Sequence, residues 1–182
     1  MKIPSLWRVA WAVGVVVLFA GGARAQSPTA SEYQVKAAFL YNFAKFVEWP
    51  SSSFSDASTP LRICIFGQDP FGQELQNIAN EKIVNGRKLS VSQVADLQTA
   101  KACQILFIAS SEKAQLKQVL ESLRGSGALT VGDIKGFVEA GGMINFVLEN
   151  QRVRFEVNRK AAEQAGLKVS SKLLNIAKSV IE

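Results

Sequence analysis

Two cysteines carry the most distinctive chemistry in this chain. Cys64 lies inside the apolar run Leu61 to Phe66, and Cys103 stands at the start of a second run, Ala102 to Ala109. Neighbouring strands can bring two Cα atoms within the ~4.4–6.8 Å that a disulfide needs. The long segment between the two makes the chain-entropy gain from such a bridge roughly 4 kcal/mol. A bridge here reads either as structural or as a redox sensor; the other alternative is a pair of buried thiols.

Histidine is absent from all 182 residues. That removes the commonest general base, the Ser-His and Cys-His nucleophile systems, and the commonest zinc and copper ligand. Two cysteines cannot build a four-thiolate site. Composition therefore argues against an enzyme, a resident metal or a cofactor, and no catalytic residue is assigned. The remaining patterns are weaker. Ser110-Ser111-Glu112-Lys113 has a Ser-x-x-Lys spacing but lacks the Ser-Asp-Asn and Lys-Thr-Gly partners of the serine acyl-transfer enzymes, so these serines read as a helix cap. Gly125-Ser126-Gly127 follows a helix instead of opening one, so its glycines read as turn residues. Asp133 and Glu139 flank one loop and read as surface charge. Arg152, Arg154 and Glu156 alternate along one strand; they read as a solvated face or as a surface for an acidic partner. Lys168, Ser170 and Ser171 gather at a helix start, where hydroxyls cap the helix or hold an anion.

These residues need elements to position them. Ser31 to Trp49 is expected as a helix, N-capped by Ser31, stopped by Pro50, and buried along Val35, Phe39, Phe43 and Phe46. Ser51 to Pro60 reads as a Ser-rich loop. Leu61 to Phe66 and Ala102 to Ala109 read as strands covered on both faces. Between them come a helix over Phe71 to Asn80, a turn at Asn85-Gly86 and a short strand from Arg87 to Val94. A helix from Ser110 or Ser111 buries Leu116, Val119, Leu120 and Leu123 and ends at Gly125. Ala128 to Val131 is a strand. Met143 to Leu148 and Arg152 to Asn158 are spaced as an antiparallel hairpin. A final helix from Ser170 or Ser171 is expected to bury Leu173, Leu174, Ala177, Val180 and Ile181. The expected fold is one α/β domain: a mixed, mostly parallel sheet with helices on both faces and a C-terminal antiparallel hairpin.

The first 25 residues stand apart. Lys2 and Arg8 are followed by an apolar run, two glycines and Ala23-Arg24-Ala25, the pattern of a secretory signal peptide. The uncharged run from Val9 to Ala23 is short of the roughly 20 residues a spanning helix needs; an uncleaved anchor is the alternative. The mature domain then spans residues 26–182. Lys2, Arg8 and Arg24 supply three of the six net positive charges, so little remains to suggest nucleic acid. Export implies an oxidising compartment, where two cysteines tend to pair.

The helix from Tyr33 to Trp49-Pro50, the strand Leu61 to Gly67, Gly136-Phe137 with Gly141-Gly142-Met143-Ile144-Asn145-Phe146, the run Arg154 to Asn158 and Ser170-Ser171-Lys172-Leu173-Leu174 together resemble the YfiR family of small periplasmic proteins. The resemblance implies a regulator: a periplasmic protein that binds the sensor domain of an inner-membrane diguanylate cyclase, lowering cyclic di-GMP and biofilm formation. It implies relief by redox or envelope stress, in some cases through an outer-membrane protein that sequesters the repressor. By position, Cys64 and Cys103 match a family disulfide; the second, later pair of some members has no counterpart here. A homodimer is expected, with self-association through helical surface. The contrasting reading is a periplasmic small-ligand binding module with a pocket near Trp49 and Lys168. Trp49, Asp133, Phe137, Lys168 and Ser170 are the candidate ligand or partner residues. Mass spectrometry of the exported protein is expected to show cleavage between Ala25 and Gln26; an intact Met1 to Ala25 segment would rule this out.

Overall fold

A run of six residues buried almost throughout, Leu61–Phe66, forms an interior strand of the sheet. The computed structural model describes residues 28–182, and the expected leader with its cleavage point at Ala25 and Gln26 lies outside them. The described elements, in chain order, are α1 (Pro28–Phe46), β1 (Val47–Glu48), β2 (Leu61–Phe66), α2 (Gln73–Ala79), β3 (Ile83–Val84), β4 (Arg87–Val94), α3 (Leu97–Ala100) and β5 (Ile105–Ile108). They continue with α4 (Leu116–Ser122), β6 (Leu129–Gly132), β7 (Ile144–Glu149), β8 (Arg152–Asn158), α5 (Arg159–Gln164), β9 (Lys168–Val169), α6 (Ser171–Ile176) and β10 (Ser179–Ile181).

Eight strands form one mixed sheet in the order β10-β8-β7-β6-β5-β2-β4-β3. The block from β4 to β7 is parallel, while β7–β8 and β3–β4 are antiparallel. The β4-β2-β5-β6-β7 order is that of a doubly wound sheet, whose crossovers change direction at β2. Its two faces carry separate cores, as the apolar runs Ile63 to Phe66 of β2 and Ile105 to Ile108 of β5 require. Ile63, Ile65, Phe107, Val131, Phe146 and Phe155 pack toward α1. Cys64, Phe66, Leu106 and Ile108 pack toward α4 with Leu116, Val119 and Leu120. On the first face Phe39 and Phe43 meet Phe146 and Phe155 with ring centroids 5.3–6.0 Å apart, a spacing at which aromatic pairs attract beyond their area burial.

Four local expectations are corrected. The helix α1 begins at Pro28, so Ser31 lies within it and caps nothing; it ends at Phe46 because Val47 and Glu48 pair antiparallel with Val169 and Lys168. Its buried stripe is Ala37, Leu40, Phe43 and Ala44, continued by Val47 of β1, whereas Val35 is 42% exposed. Small alanines let the helix axis approach the sheet, and that rotates the larger Phe39 and Phe46 to the flanks. Ser110 and Ser111 cap no helix, since a 3₁₀ stretch over Ser110–Gln115 precedes α4 and its start has no side-chain cap. The final helix stops at Ile176; Ala177 is extended, and Val180 and Ile181 sit in β10, parallel to β8. The free edge of β8 offered hydrogen-bond partners that a longer helix could not use. Ser170 does cap α6, accepting from the Leu173 amide at 3.4 Å.

The disulfide Cys64–Cys103 ties β2 to the segment leading into β5, with Cα atoms 6.1 Å apart. Both residues are buried, at 1% and 3% exposure, on the α4 side of the sheet. The Cys64→Ser, Cys103→Ser double variant is expected to lose about 2–5 kcal/mol in denaturant melts. An unchanged midpoint would show that packing alone holds these strands.

Candidate functional site

Lys36 occupies a position on the buried stripe of α1, one turn before Leu40, and is 3% exposed. A buried ammonium needs opposite charge and hydrogen bonds. Its Nζ lies 2.9 Å from Asp133 Oδ2 and 2.5 Å from Glu32 Oε1, and 4.2 Å from the centroid of the Tyr33 ring. Tyr33 donates its hydroxyl to the same Asp133 oxygen at 2.6 Å. Burial, reinforced by the hydrogen bond to the Asp133 carboxylate, pushes the Tyr33 hydroxyl well above its usual range, so it stays a donor. Asp133 directly follows β6, at the carboxyl end of the parallel strands, and its side chain is 7% exposed. Its Oδ1 is buried without a hydrogen-bond partner. Asp133 is thus not the surface charge its loop position suggested; it is one half of a tether between α1 and the sheet.

Phe137 lies four residues on and is fully buried. Its ring is wedged between two glycine backbones: a Cβ on Gly132 would come within 2.5 Å of it, and one on Gly142 within 2.1 Å. That close approach is the reason for glycine at both positions. Phe137 therefore has no surface to offer a ligand or partner.

Trp49, Lys168 and Ser170 come together at the opposite, amino end of the sheet. Glu48 pairs with Lys168 across the β1–β9 ribbon, and the Ser170 amide donates to the Phe46 carbonyl at 2.9 Å. Trp49 donates its indole N–H to the Gln104 carbonyl at 3.1 Å, just before β5. A 300 Å³ recess beside it is lined by Trp49, Phe54, Leu61 and Arg87 among others, and neither Lys168 nor Ser170 reaches it. Arg87 is already engaged: its guanidinium stacks 3.8 Å above the Phe54 ring and donates to the carbonyls of Asp56, Ala57 and Thr59. Asp56 organises the same loop, and hydrogen bonds from Ser58, then Thr59, lower its carboxyl to a pKa of about 2.

Doubly wound sheets take ligands at the carboxyl ends of their strands, where the crossovers diverge. Between β2 and β5 that crevice is filled. The Ser111 hydroxyl accepts from the Gln68 amide at 3.0 Å and donates to Glu112 at 2.9 Å, and Gln115 donates to the same carboxylate. A Cβ on Gly67 would meet these side chains at 2.5–2.8 Å. A 440 Å³ recess remains beside it, toward β4, lined by Gln93, Val94, Ala95, Glu112 and Gln115 with Phe66 and Gly67.

The five candidate residues thus divide between two ends of the sheet. Lys36, Arg87 and Gln104 escaped sequence reasoning, although each is a polar linchpin. Lys36 carried a signal, since it falls in phase with Leu40, Phe43 and Val47 at helical spacing. Gln104 carried one too, as a lone amide in an apolar run; its side chain accepts from the Arg62 amide and donates to the Ser53 carbonyl, both at 2.9 Å.

A family model described as YfiR/HmsC-like matches residues 33–178. Among solved structures, a conserved domain protein from Vibrio cholerae is similar at TM-score 0.56 and 12% identity, over 81% of this chain and 60% of that one. The ABC domain in complex with L-Trp from Streptococcus pneumonia is similar at TM-score 0.52 and 11% identity, over 85% of this chain and 60% of that one. This chain therefore spans 60% of the length of each, and the likeness is one of fold.

The tether makes a quantitative prediction. Lys36→Met leaves the Asp133 carboxylate without its cation, with only the Tyr33 hydroxyl as donor, and is expected to cost about 3–5 kcal/mol in denaturant unfolding, while adding Asp133→Leu should recover most of the loss. A single-variant cost below about 1 kcal/mol, the range of exposed ion pairs, would show that the pair is solvent-screened.

Proposed function

Because the chain belongs to the YfiR/HmsC-like family, whose members are periplasmic regulators of diguanylate cyclase systems, we propose that this protein represses an inner-membrane diguanylate cyclase by binding its periplasmic sensor domain. The family match over residues 33–178 carries this reading, since it spans nearly all of the described chain. The leader-like segment ending at Ala25 supports export to the periplasm. The geometry agrees in kind: the buried polar groups around Lys36 and Gln104 are spent on joining elements, so function falls to exposed surface. Repression is a population shift, in which the protein binds the inactive sensor conformation more tightly than the active one. The assembly we propose is a homodimer, relieved of its cyclase by envelope stress or by an outer-membrane protein that sequesters it. The 440 Å³ recess beside the filled crevice favours a second reading, a small-ligand binding module.

Deleting the gene is expected to raise cyclic di-GMP and surface attachment, and the exported wild-type protein should reverse both. Unchanged cyclic di-GMP, with no cyclase recovered with the tagged protein, would defeat the repressor reading and leave the ligand-binding one.

A further inference from the structure

An open groove of 770 Å³ runs between the N-terminal half of α1 and the β7–β8 hairpin. Val35, Phe39, Leu148 and Val153 form its floor and walls, with Glu32 and Arg152 on its rim. Val35 is 42% and Leu148 57% exposed, so two of the protein's exposed large apolar side chains meet here. Exposed apolar surface concentrated in one place is the material of a binding site.

Two further features define what fits. The first is an open sheet edge. Only Glu156, Val157 and Asn158 of β8 are paired with β10. The Asn158 amide donates to Met143, toward β7, while the Phe155 carbonyl accepts from Lys178, on the outer side. By the alternation of a strand, the main-chain N–H and C=O of Val153 also face outward, beside the groove. The second feature is a net positive charge on the hairpin face, where Arg152, Arg154 and Lys178 stand beside Glu149 and Glu156. Glu32 is paired with Lys36 at 2.5 Å, and Glu149 with Lys178 at 3.4 Å. Among the described residues neither Arg152 nor Arg154 has a carboxylate within ion-pair distance. Val153 and Phe155 turn toward α1, so Arg152 and Arg154 turn to the other face.

We propose that this groove and edge dock an extended segment of a protein partner in which apolar and acidic residues alternate. Added as a strand along the first half of β8, such a segment takes main-chain hydrogen bonds from Val153. Its apolar side chains enter the groove beside Val153, toward Val35 and Leu148, and its carboxylates lie across from Arg152 and Arg154. An acyl chain would fill the groove but leave the edge unpaired, which is why a peptide is favoured over a lipid. This proposal rests on the reading of the protein as a protein-binding regulator and names the chemistry of the segment it grips.

The test is fluorescence anisotropy of two labelled octapeptides, alternating Glu-Val and alternating Lys-Val, titrated with the exported full chain. Saturable binding of the Glu-Val peptide is expected, with none for the Lys-Val peptide. Leu148→Asp, and Arg152→Glu with Arg154→Glu, should each weaken binding by at least about tenfold, while Arg152→Lys with Arg154→Lys retains most of it. Leu148 and Arg152 are exposed and Arg154 is half-buried, and the melting curve of each variant should match wild type. Absent binding, equal binding of the two peptides, or binding indifferent to these variants overturns the proposal. So does a dimer that Leu148→Asp dissociates in sedimentation while the peptide fails to bind, which assigns the groove to a second copy. Arginine-dependent binding to phosphatidylglycerol vesicles without peptide binding assigns it to a membrane and overturns the proposal equally. Loss of the peptide arm alone, with cyclic di-GMP still rising in the deletion strain, removes the groove and leaves the repressor reading standing.

Discussion

The seating of α1 across the sheet is the constraint on which the remaining architecture depends. Ala37, Leu40, Phe43, Ala44 and Val47 are fully buried in one core with residues of β2, β5, β6, β7 and β8. Apolar contact alone would let a helix slide or roll on such a surface, because dispersion is not directional. The Lys36–Asp133 pair removes that freedom, since a buried charge tolerates only the register that gives it a partner. Tyr33 adds a second donor to the same carboxylate oxygen. At its other end α1 runs into the β1–β9 ribbon, where Val47 pairs with Val169. The helix is thus pinned by an ion pair near its middle and by the ribbon at its carboxyl end, with the aromatic packing of Phe39 and Phe43 between them.

That placement decides where the surface is available for binding. With α1 fixed, its early turns project Val35 beyond the sheet beside the β7–β8 hairpin and form one wall of the groove there. The last turn positions Trp49 over the amino end of β5. The crevice a doubly wound sheet usually offers is occupied instead by Ser111 and Glu112, folded over Gly67. The fold keeps the strand order of ligand-binding sheets while this crevice is closed by its own side chains, which turns attention to edges and grooves. The family relationship points the same way, toward regulation through protein contact.

Much of the fold was legible in particular residues. The apolar runs at Leu61–Phe66 and around Ile105–Ile108 announced strands covered on both faces, and the structure places both in the interior of the sheet. Asn85-Gly86 marked a turn, and both residues adopt positive φ. Gly125 marked the stop after α4 and also has positive φ. The segments that misled were those whose state depends on a remote partner. Val47 and Glu48 continue the helical pattern of α1, yet β9 claims them. Val180 and Ile181 fit a helix face, yet the open edge of β8 claims them.

By itself, then, the sequence determined the class of the fold, the absence of histidine chemistry, the hairpin and the family likeness. Each of these is written in composition, in local periodicity or in motifs short enough to read along the chain. Only the tertiary structure decided that Asp133 is buried beneath α1, that Phe137 is locked between Gly132 and Gly142, and that Val35 meets Leu148 and Val153 beside a free strand edge. The first and last of those facts join residues far apart in sequence, and the second depends on how one short loop folds back on itself. Periodicity reports how much of an element is buried, but not what lies against it. Which lysine is buried, and which arginine stays unpaired, follows from contacts that exist only once the sheet has closed against its helices.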